Sequence, residues 1–131
     1  GSGLNDATTD PETLERWFDR YGRGCNIATP TGLQASGWQL IVLDVDLPPN
    51  HEDGRIVLNR LRSEGLELSP TLTATTGSGG KHYYYWTQET RKPLNSARLG
   101  WKGIDILGQG QSVILPPSKF DGGQGYRFDN D

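Results

Sequence analysis

The chain has 131 residues, a third of them hydrophobic, with 18 glycines, 8 prolines and a formal net charge of −3. That length supports one modest core, and the glycine and proline content favours turns and short strands over a helical bundle. The acidic balance argues against a generally basic nucleic-acid binder unless charge is locally segregated. A single cysteine, Cys25, excludes an internal disulfide and a multi-cysteine zinc site, and no apolar stretch approaches the roughly 20 residues that span a bilayer.

Residues 1–3 read as a cloning scar, leaving 4–131 as one unit, and a reducing, cytoplasmic setting is expected. Asp6 to Tyr21 reads as an amphipathic helix. Asp10 suits the N-cap and Pro11 the first helical position, and Gly22 suits the residue after the end. Leu14, Trp17, Phe18 and Tyr21 recur at helical spacing, so the helix is expected to cover one face of a sheet. Asn26-Ile27-Ala28-Thr29 is a short candidate strand, and residues 30–37 form a loop.

Trp38 to Asp46 (WQLIVLDVD) is an apolar, β-branched run closed by Pro48-Pro49-Asn50, the pattern of a buried strand. Alternation puts Asp44 and Asp46 on the same face and Val45 on the other. Two adjacent carboxylates stay ionised together only with positive charge between them, and a divalent cation is the usual source. For an isolated D-x-D, a strand end running into a solvated acidic turn is an equally good reading.

A loop from Leu47 to Asp53 leads to a second helix, Arg55 to Glu64, with Val57, Leu58 and Leu61 on its apolar face and Gly65 ending it. Thr71 to Thr76 and Lys81 to Thr87 are strand-like and form a hairpin around Gly77-Ser78-Gly79-Gly80. His82, Tyr84 and Trp86 share one face; Lys81, Tyr83 and Tyr85 share the other. Residues 88–102 are an irregular connection. Lys81, Arg91, Lys92, Arg98 and Lys102 give this region a local positive excess opposed only by Glu89, which as separate residues equally describes a solvated loop. In the strand at 103–107, Ile104 and Ile106 face the core and Asp105 the opposite side. The chain turns at 108–110 into a strand at 112–115, ended by Pro116-Pro117-Ser118. Tyr126 to Phe128 adds an edge strand.

Three features converge. Asp44 and Asp46 form the first. Asp105 is the second: a carboxylate on an otherwise apolar strand is costly to bury alone, and a third metal ligand would account for it, as would a sheet face open to water. The third is the glycine turn with Lys81 and His82. Consecutive glycines let backbone N–H groups converge on an anion, and Ser78, Lys81 and His82 add donors. No helix follows, so it is not a P-loop, and alone it is an ordinary hairpin turn. An anion site beside a carboxylate-metal site fits two-metal phosphoryl or nucleotidyl transfer.

With these residues assembled, the sequence resembles the primase-polymerase (Prim-Pol) branch of the archaeo-eukaryotic primase superfamily, from about Ala7 to Phe128. The landmarks are Ala7-Thr8-Thr9-Asp10-Pro11, Asn26-Ile27-Ala28-Thr29, Asp44-Val45-Asp46, Thr76 through His82, Gly103-Ile104-Asp105, Pro116-Pro117-Ser118, and Gly122-Gly123 ahead of Tyr126. Their order is more specific than any one of them.

The resemblance implies an α+β fold, an RRM-like catalytic core with a mostly antiparallel sheet and flanking helices. It implies a nucleotidyltransferase, a DNA primase or polymerase that makes or extends primers on single-stranded or primed DNA from nucleoside triphosphates. Asp44, Asp46 and Asp105 would hold Mg2+ or Mn2+ in a two-metal site. Ser78, Gly79, Gly80, Lys81 and His82 would bind the nucleotide triphosphate. Apart from the resemblance, the local positive excess makes Arg91, Lys92, Arg98 and Lys102 the candidate template contacts. The resemblance further implies a plasmid, phage or mobile-element replication protein with a fused or associated helicase. Relatives carry a further N-terminal segment, so the chain reads as a trimmed core. Gly108-Gln109-Gly110 replaces the family's R-G-x-G run, removing a basic residue. The alternatives are a nucleotide-sugar glycosyltransferase using its D-x-D, and a degenerate nucleotide- or RNA-binding module on an RRM-like scaffold.

Overall fold

Residues 3–22, 24–93, 95–119 and 124–130 are described by the computed structural model. Gly1 and Ser2 of the expected scar, and the Gly122-Gly123 landmark, lie outside the described residues. The first helix, α1 (Pro11–Tyr21), forms as its caps dictate. Thr13 N donates to Asp10 Oδ2 at 3.0 Å, and Gly22 N donates to Phe18 O at 2.9 Å. Its expected packing on a sheet is not found. No residue of α1 is buried, and Trp17, Phe18 and Tyr21 are exposed. Other elements already cover both faces of the sheet.

Nine further elements follow α1, formed by the same local rules. Strand β1 (Ile27–Pro30) is followed by a two-residue strand, β2 (Gly32–Leu33), inside the expected loop. Then come β3 (Gln39–Val45), α2 (Gly54–Ser63), β4 (Thr73–Thr75), β5 (Lys81–Thr87), β6 (Ile104–Leu107), β7 (Ser112–Leu115) and β8 (Arg127–Phe128). The main sheet runs β2-β3-β5-β4-β8, and β6 pairs with β3 as well, on Val42 to Val45, while β2 pairs with Gln39 and Leu40. All pairings are antiparallel. The α+β fold with a mostly antiparallel sheet and two helices is therefore the one expected.

One sheet face is covered by an antiparallel ribbon of β1 and β7. Its Val113 and Leu115 pack with Leu40, Val42, Ala74, Tyr84 and Leu107. The ribbon is fastened by two of the sequence landmarks. Asn26 Nδ2 donates to Lys119 O and Lys119 N donates to Asn26 Oδ1, both at 2.9 Å, while Ile27 N donates to the buried Ser118 hydroxyl at 2.9 Å. The other face is covered by α2, where Val57 meets Val45 and Ile104, flanked by Leu58, Leu61, Tyr83 and Trp101. Burying side chains of this size contributes about 1.5–3 kcal/mol each. The core is thus split by the sheet, and the ribbon side leads directly to the polar end of β3.

Candidate active site

The pairing register builds the site. Asp44 of β3 stands opposite Asp105 of β6 on one side and His82 of β5 on the other; His82 in turn stands opposite Ala74 of β4. Directly opposed residues share a face, so Asp105, Asp44 and His82 form one row across the sheet on the ribbon side. Asp46 follows by alternation. The three carboxylates each present an oxygen, and these oxygens lie within 4.8 Å of one another. Asp44 and Asp46 are half-buried, Asp105 is exposed, and His82 is buried.

The backbone of Asp46 is held from both sides. Asp46 N donates to Gly103 O at 2.8 Å, and Gly54 N, the first residue of α2, donates to Asp46 O at 3.0 Å. This requires glycine at both contacts. Gly103 has φ +77°, and a Cβ there would lie 2.5 Å from Gly54 N; a Cβ on Gly54 would strike the Gly103 carbonyl. The ends of β3, α2 and β6 are therefore fixed together at the carboxylates.

His82 Nε2 is 3.2 Å from Asp44 Oδ1, while its Nδ1 is buried with no hydrogen-bond partner. The Tyr84 hydroxyl is likewise buried and unpartnered. Its phenol is pushed up to about 12, by burial and then by the charge of Asp44. The Tyr126 ring lies 6.1 Å from His82, and burial followed by Asp44 raises its phenol too. Both phenols stay protonated around Asp44. Burial, then the Asp44 charge, raises the Asp46 carboxyl; His51, with Nδ1 4.0 Å from Asp46 Oδ2, opposes that rise.

The glycine turn reaches the same end of the sheet. Gly80 packs so closely on β3 that a Cβ would sit 2.5 Å from Val45 O, and Gly79 adjoins Leu47. The turn is closed by Gly79 N donating to Thr76 O and Thr76 N to Gly80 O, both at 3.0 Å, with Ser78 Oγ 3.3 Å from Thr76 Oγ1. Ser78, Gly79, Gly80 and His82 are thus brought to the carboxylate end.

Lys81 is not. It stands opposite Val45, on the α2 face, and its ammonium donates to Asp129 Oδ2 at 2.7 Å and Thr75 Oγ1 at 2.8 Å. Arg91 and Lys92 follow the far end of β5, a strand that runs about 20 Å at ~3.3 Å per residue, and Arg91 is paired with Glu89 at 2.9 Å. Gln109 lies beyond the far end of β6, where its side chain accepts from Leu33 N at 2.8 Å. Arg98 is exposed in the turn closed by Trp101 N donating to Ser96 O at 3.0 Å. Lys102 is exposed and directly precedes Gly103, at the carboxylate end.

A family model described as "Bifunctional DNA primase/polymerase, N-terminal" matches residues 1–131. The chain belongs to the Prim-Pol family. No curated protein and no solved structure is significantly similar to it. Membership makes primase/polymerase-type nucleotidyl transfer the general class of activity, with nucleotides and DNA as the general class of partner. Prim-Pol domains are typically metal-dependent, and the residues here fit that need. Three hard oxygen donors converge within 4.8 Å, the donor set that Mg2+ and Mn2+ take. Burial is the main cause of the upward push on Asp46, and the charges of Asp44 and Asp105 add to it, a repulsion that a dication would relieve. No helix among the described residues is long and apolar enough to cross a membrane.

Three residues around the site of this Prim-Pol chain had no role in the sequence reading. Tyr84 was placed on the His82 face by alternation alone. Tyr126 was visible only as a landmark. His51 sits in an aperiodic loop, where sequence pattern carries no signal of what it faces.

Proposed function

We propose that this Prim-Pol chain is a metal-dependent DNA primase or polymerase that synthesises or extends primers on a DNA template for replication, with residues 4–131 as one catalytic core. The observation that carries the proposal is the meeting of Asp44, Asp46 and Asp105 beside His82 at the end of β3. Asp44, Asp46 and Asp105 are the residues that would hold Mg2+ or Mn2+, as a pair of ions. When bound, the cations supply charge neutralisation and polarisation of triphosphate oxygens.

The chain's own groups do the rest. Ser78 and the backbone at Gly79 and Gly80 bind triphosphate oxygens. His82 orients Asp44 and presents a ring edge to a phosphate. Tyr84 and Tyr126, both neutral, shield the Asp44 side of the site from bulk water. Lys81 is left out of the triphosphate site because Asp129 holds it on the opposite face. Among Arg91, Lys92, Arg98 and Lys102, the proposed template contacts, Lys102 is the one next to the carboxylate end. A plasmid, phage or mobile-element setting belongs to the proposal; a helicase partner has no support and does not.

The test is incorporation of labelled nucleotide on primed and unprimed single-stranded DNA, with Mn2+ and with Mg2+. Extension by the wild type, lost in Asp44→Ala with the fold intact by circular dichroism, is the expected result. Nucleotide binding without incorporation under either metal would mean a degenerate binding module.

A further inference from the structure

We propose that His51 is a fourth protein ligand of a divalent cation at this site, shared with Asp46, and that its nitrogen biases the site toward Mn2+ and Co2+ over Mg2+. The inference rests on the reading of Asp44, Asp46 and Asp105 as a cation site.

The spacing is the first argument. His51 Nδ1 lies 4.0 Å from Asp46 Oδ2, beyond the ~2.7–3.2 Å of an N–H···O hydrogen bond. Two donors bound to one ion at about 2.0–2.2 Å are about 3 Å apart when adjacent and about 4.2 Å apart when opposite. The observed separation falls in that span. The gap is too long for a direct hydrogen bond and within the span of two ligands on one ion.

The loop keeps His51 beside Asp46. Its ends are pinned where Gly54 N donates to Asp46 O at 3.0 Å. Within it, Pro48 and Pro49 have φ fixed by their rings. The neighbouring acid Asp53 is committed elsewhere: it caps α2, accepting from Arg55 N at 3.0 Å, and takes the Arg55 guanidinium at 2.8 Å. His51 stands beside Asp46 and outside the group of three carboxylates whose oxygens lie within 4.8 Å of one another, and its imidazole is more than half exposed, so the rotation that would bring it to an ion there displaces only water.

Chemistry supplies the selectivity. Mg2+ takes oxygen donors and parts with water reluctantly. Mn2+ and Co2+ accept imidazole, with affinity rising along that series. A site of three carboxylates alone would not distinguish these ions by donor type; one with an imidazole would.

The chain has only two histidines, which makes the assignment separable. His82 is buried with Nε2 3.2 Å from Asp44, close enough to orient that carboxylate from behind it. The experiment is electron spin-echo envelope modulation on Mn2+-loaded protein without nucleotide, with Mn2+, Co2+ and Mg2+ affinities measured in parallel. Expected are a 14N modulation in the wild type, its persistence in His82→Gln, and its loss in His51→Ala. In His51→Ala, Mn2+ and Co2+ affinity should fall about tenfold or more, and Mg2+ affinity less than about twofold. A wild type that binds Mn2+ with no nitrogen modulation would overturn the proposal while leaving the carboxylate site standing, as would modulation that survives His51→Ala. Failure of the wild type to bind Mn2+ at all would instead remove the cation site itself.

Discussion

Asp44 and Asp105 face each other directly across the β3–β6 ladder, two like charges where a sheet normally pairs opposite or apolar residues. Such a pair costs about 0.2–1 kcal/mol, and the metal-free protein bears it. Asp105→Asn should therefore raise the melting temperature of the metal-free protein by about 1–4 °C, the shift such an energy gives in a domain of this size. Excess Mn2+ should raise the wild-type melting temperature by mass action and leave Asp44→Ala unmoved. Calorimetry with chelator and with Mn2+ checks both. A less stable Asp105→Asn would mean that the carboxylate is satisfied without a cation.

Asp46 gives the same cost a pH dependence. Burial and Asp44 raise its folded value above the ordinary one. A carboxyl raised on folding stabilises the fold fully below the unfolded value near 3.8, and loses that contribution as pH rises through the folded value. Asp46→Asn does not titrate. Its gain in melting temperature over the wild type, in chelator, should be larger at pH 7 than at pH 4. Equal gains at the two pH values would mean that Asp46 carries no such penalty.

The Gly54–Gly103 contact holds the carboxylates in register. An added methyl at either position strikes main chain, which cannot move without shifting Asp46 or Asp105. Gly54→Ala should cost about 1–3 kcal/mol, the range for overpacking, and should weaken Mn2+ binding as well. Gly65→Ala is the comparison. That glycine has positive φ, as Gly103 does, but a Cβ there meets nothing within 4 Å. It should lose stability and keep its Mn2+ affinity. If Gly54→Ala binds Mn2+ normally, the contact is structural only.

These relationships divide by how local their causes are. Strand β3, helix α2 and the β4–β5 hairpin follow from period and turn residues, and the same-face placement of Asp44 with Asp46 follows from alternation. Asp105 stood out because a charge in GIDIL is out of pattern. What alternation could not supply was the partner across the sheet: that Asp105 meets Asp44 is a matter of register between strands 61 positions apart in sequence. The face of Lys81 was legible, since it alternates with His82. Its capture by Asp129 was not, because that contact spans the chain. The stripe on α1 was read correctly as helical and wrongly as buried. The β1–β7 ribbon, assembled from distant segments, and α2 cover the two faces of the sheet.

Lys81 and His82 are adjacent in sequence and should separate cleanly by experiment. Partial burial alone would raise the Asp129 carboxyl. Hydrogen bonds from Lys81, Thr75 and Thr73, with the Lys81 charge, outweigh that and hold it at about 2. Its contribution is present above the unfolded value near 3.8 and is lost as pH falls toward 2. Lys81→Met should lower stability at pH 7 by about 1 kcal/mol, a figure kept small because the ammonium is partly exposed, and should leave nucleotide affinity unchanged. His82→Ala should weaken binding of a nucleoside triphosphate by about 1.5–3 kcal/mol, the range for hydrogen bonds to charged groups. Titration calorimetry and thermal melts on both variants decide it. Loss of nucleotide affinity in Lys81→Met would return that side chain to the triphosphate site.

Template affinity should be poor and should depend on Lys102 more than on Arg91 or Lys92. Non-specific binding to DNA is supplied by Lys and Arg neutralising phosphates, and it falls steeply with salt. Acids outnumber bases here, 16 to 13, and three of the acids gather at the carboxylate site itself. Arg91 and Lys92 lie at the opposite end of β5, and Arg91 already carries Glu89 as a counter-charge. Lys102 is exposed and directly precedes Gly103, whose carbonyl accepts from Asp46 N, so it is the base nearest in sequence to the carboxylate end. Single-stranded DNA should bind in the roughly micromolar range or weaker at physiological salt. Lys102→Glu should weaken that binding and primer extension together, and flatten the salt dependence by about one phosphate contact. The double reversal Arg91→Glu/Lys92→Glu should weaken binding less and leave extension on short templates nearly intact. Fluorescence anisotropy across a salt series, paired with extension on templates of increasing length, reads both effects. If the double reversal is the more damaging on the shortest template, the template path runs along the far end of the sheet and Lys102 lies off it.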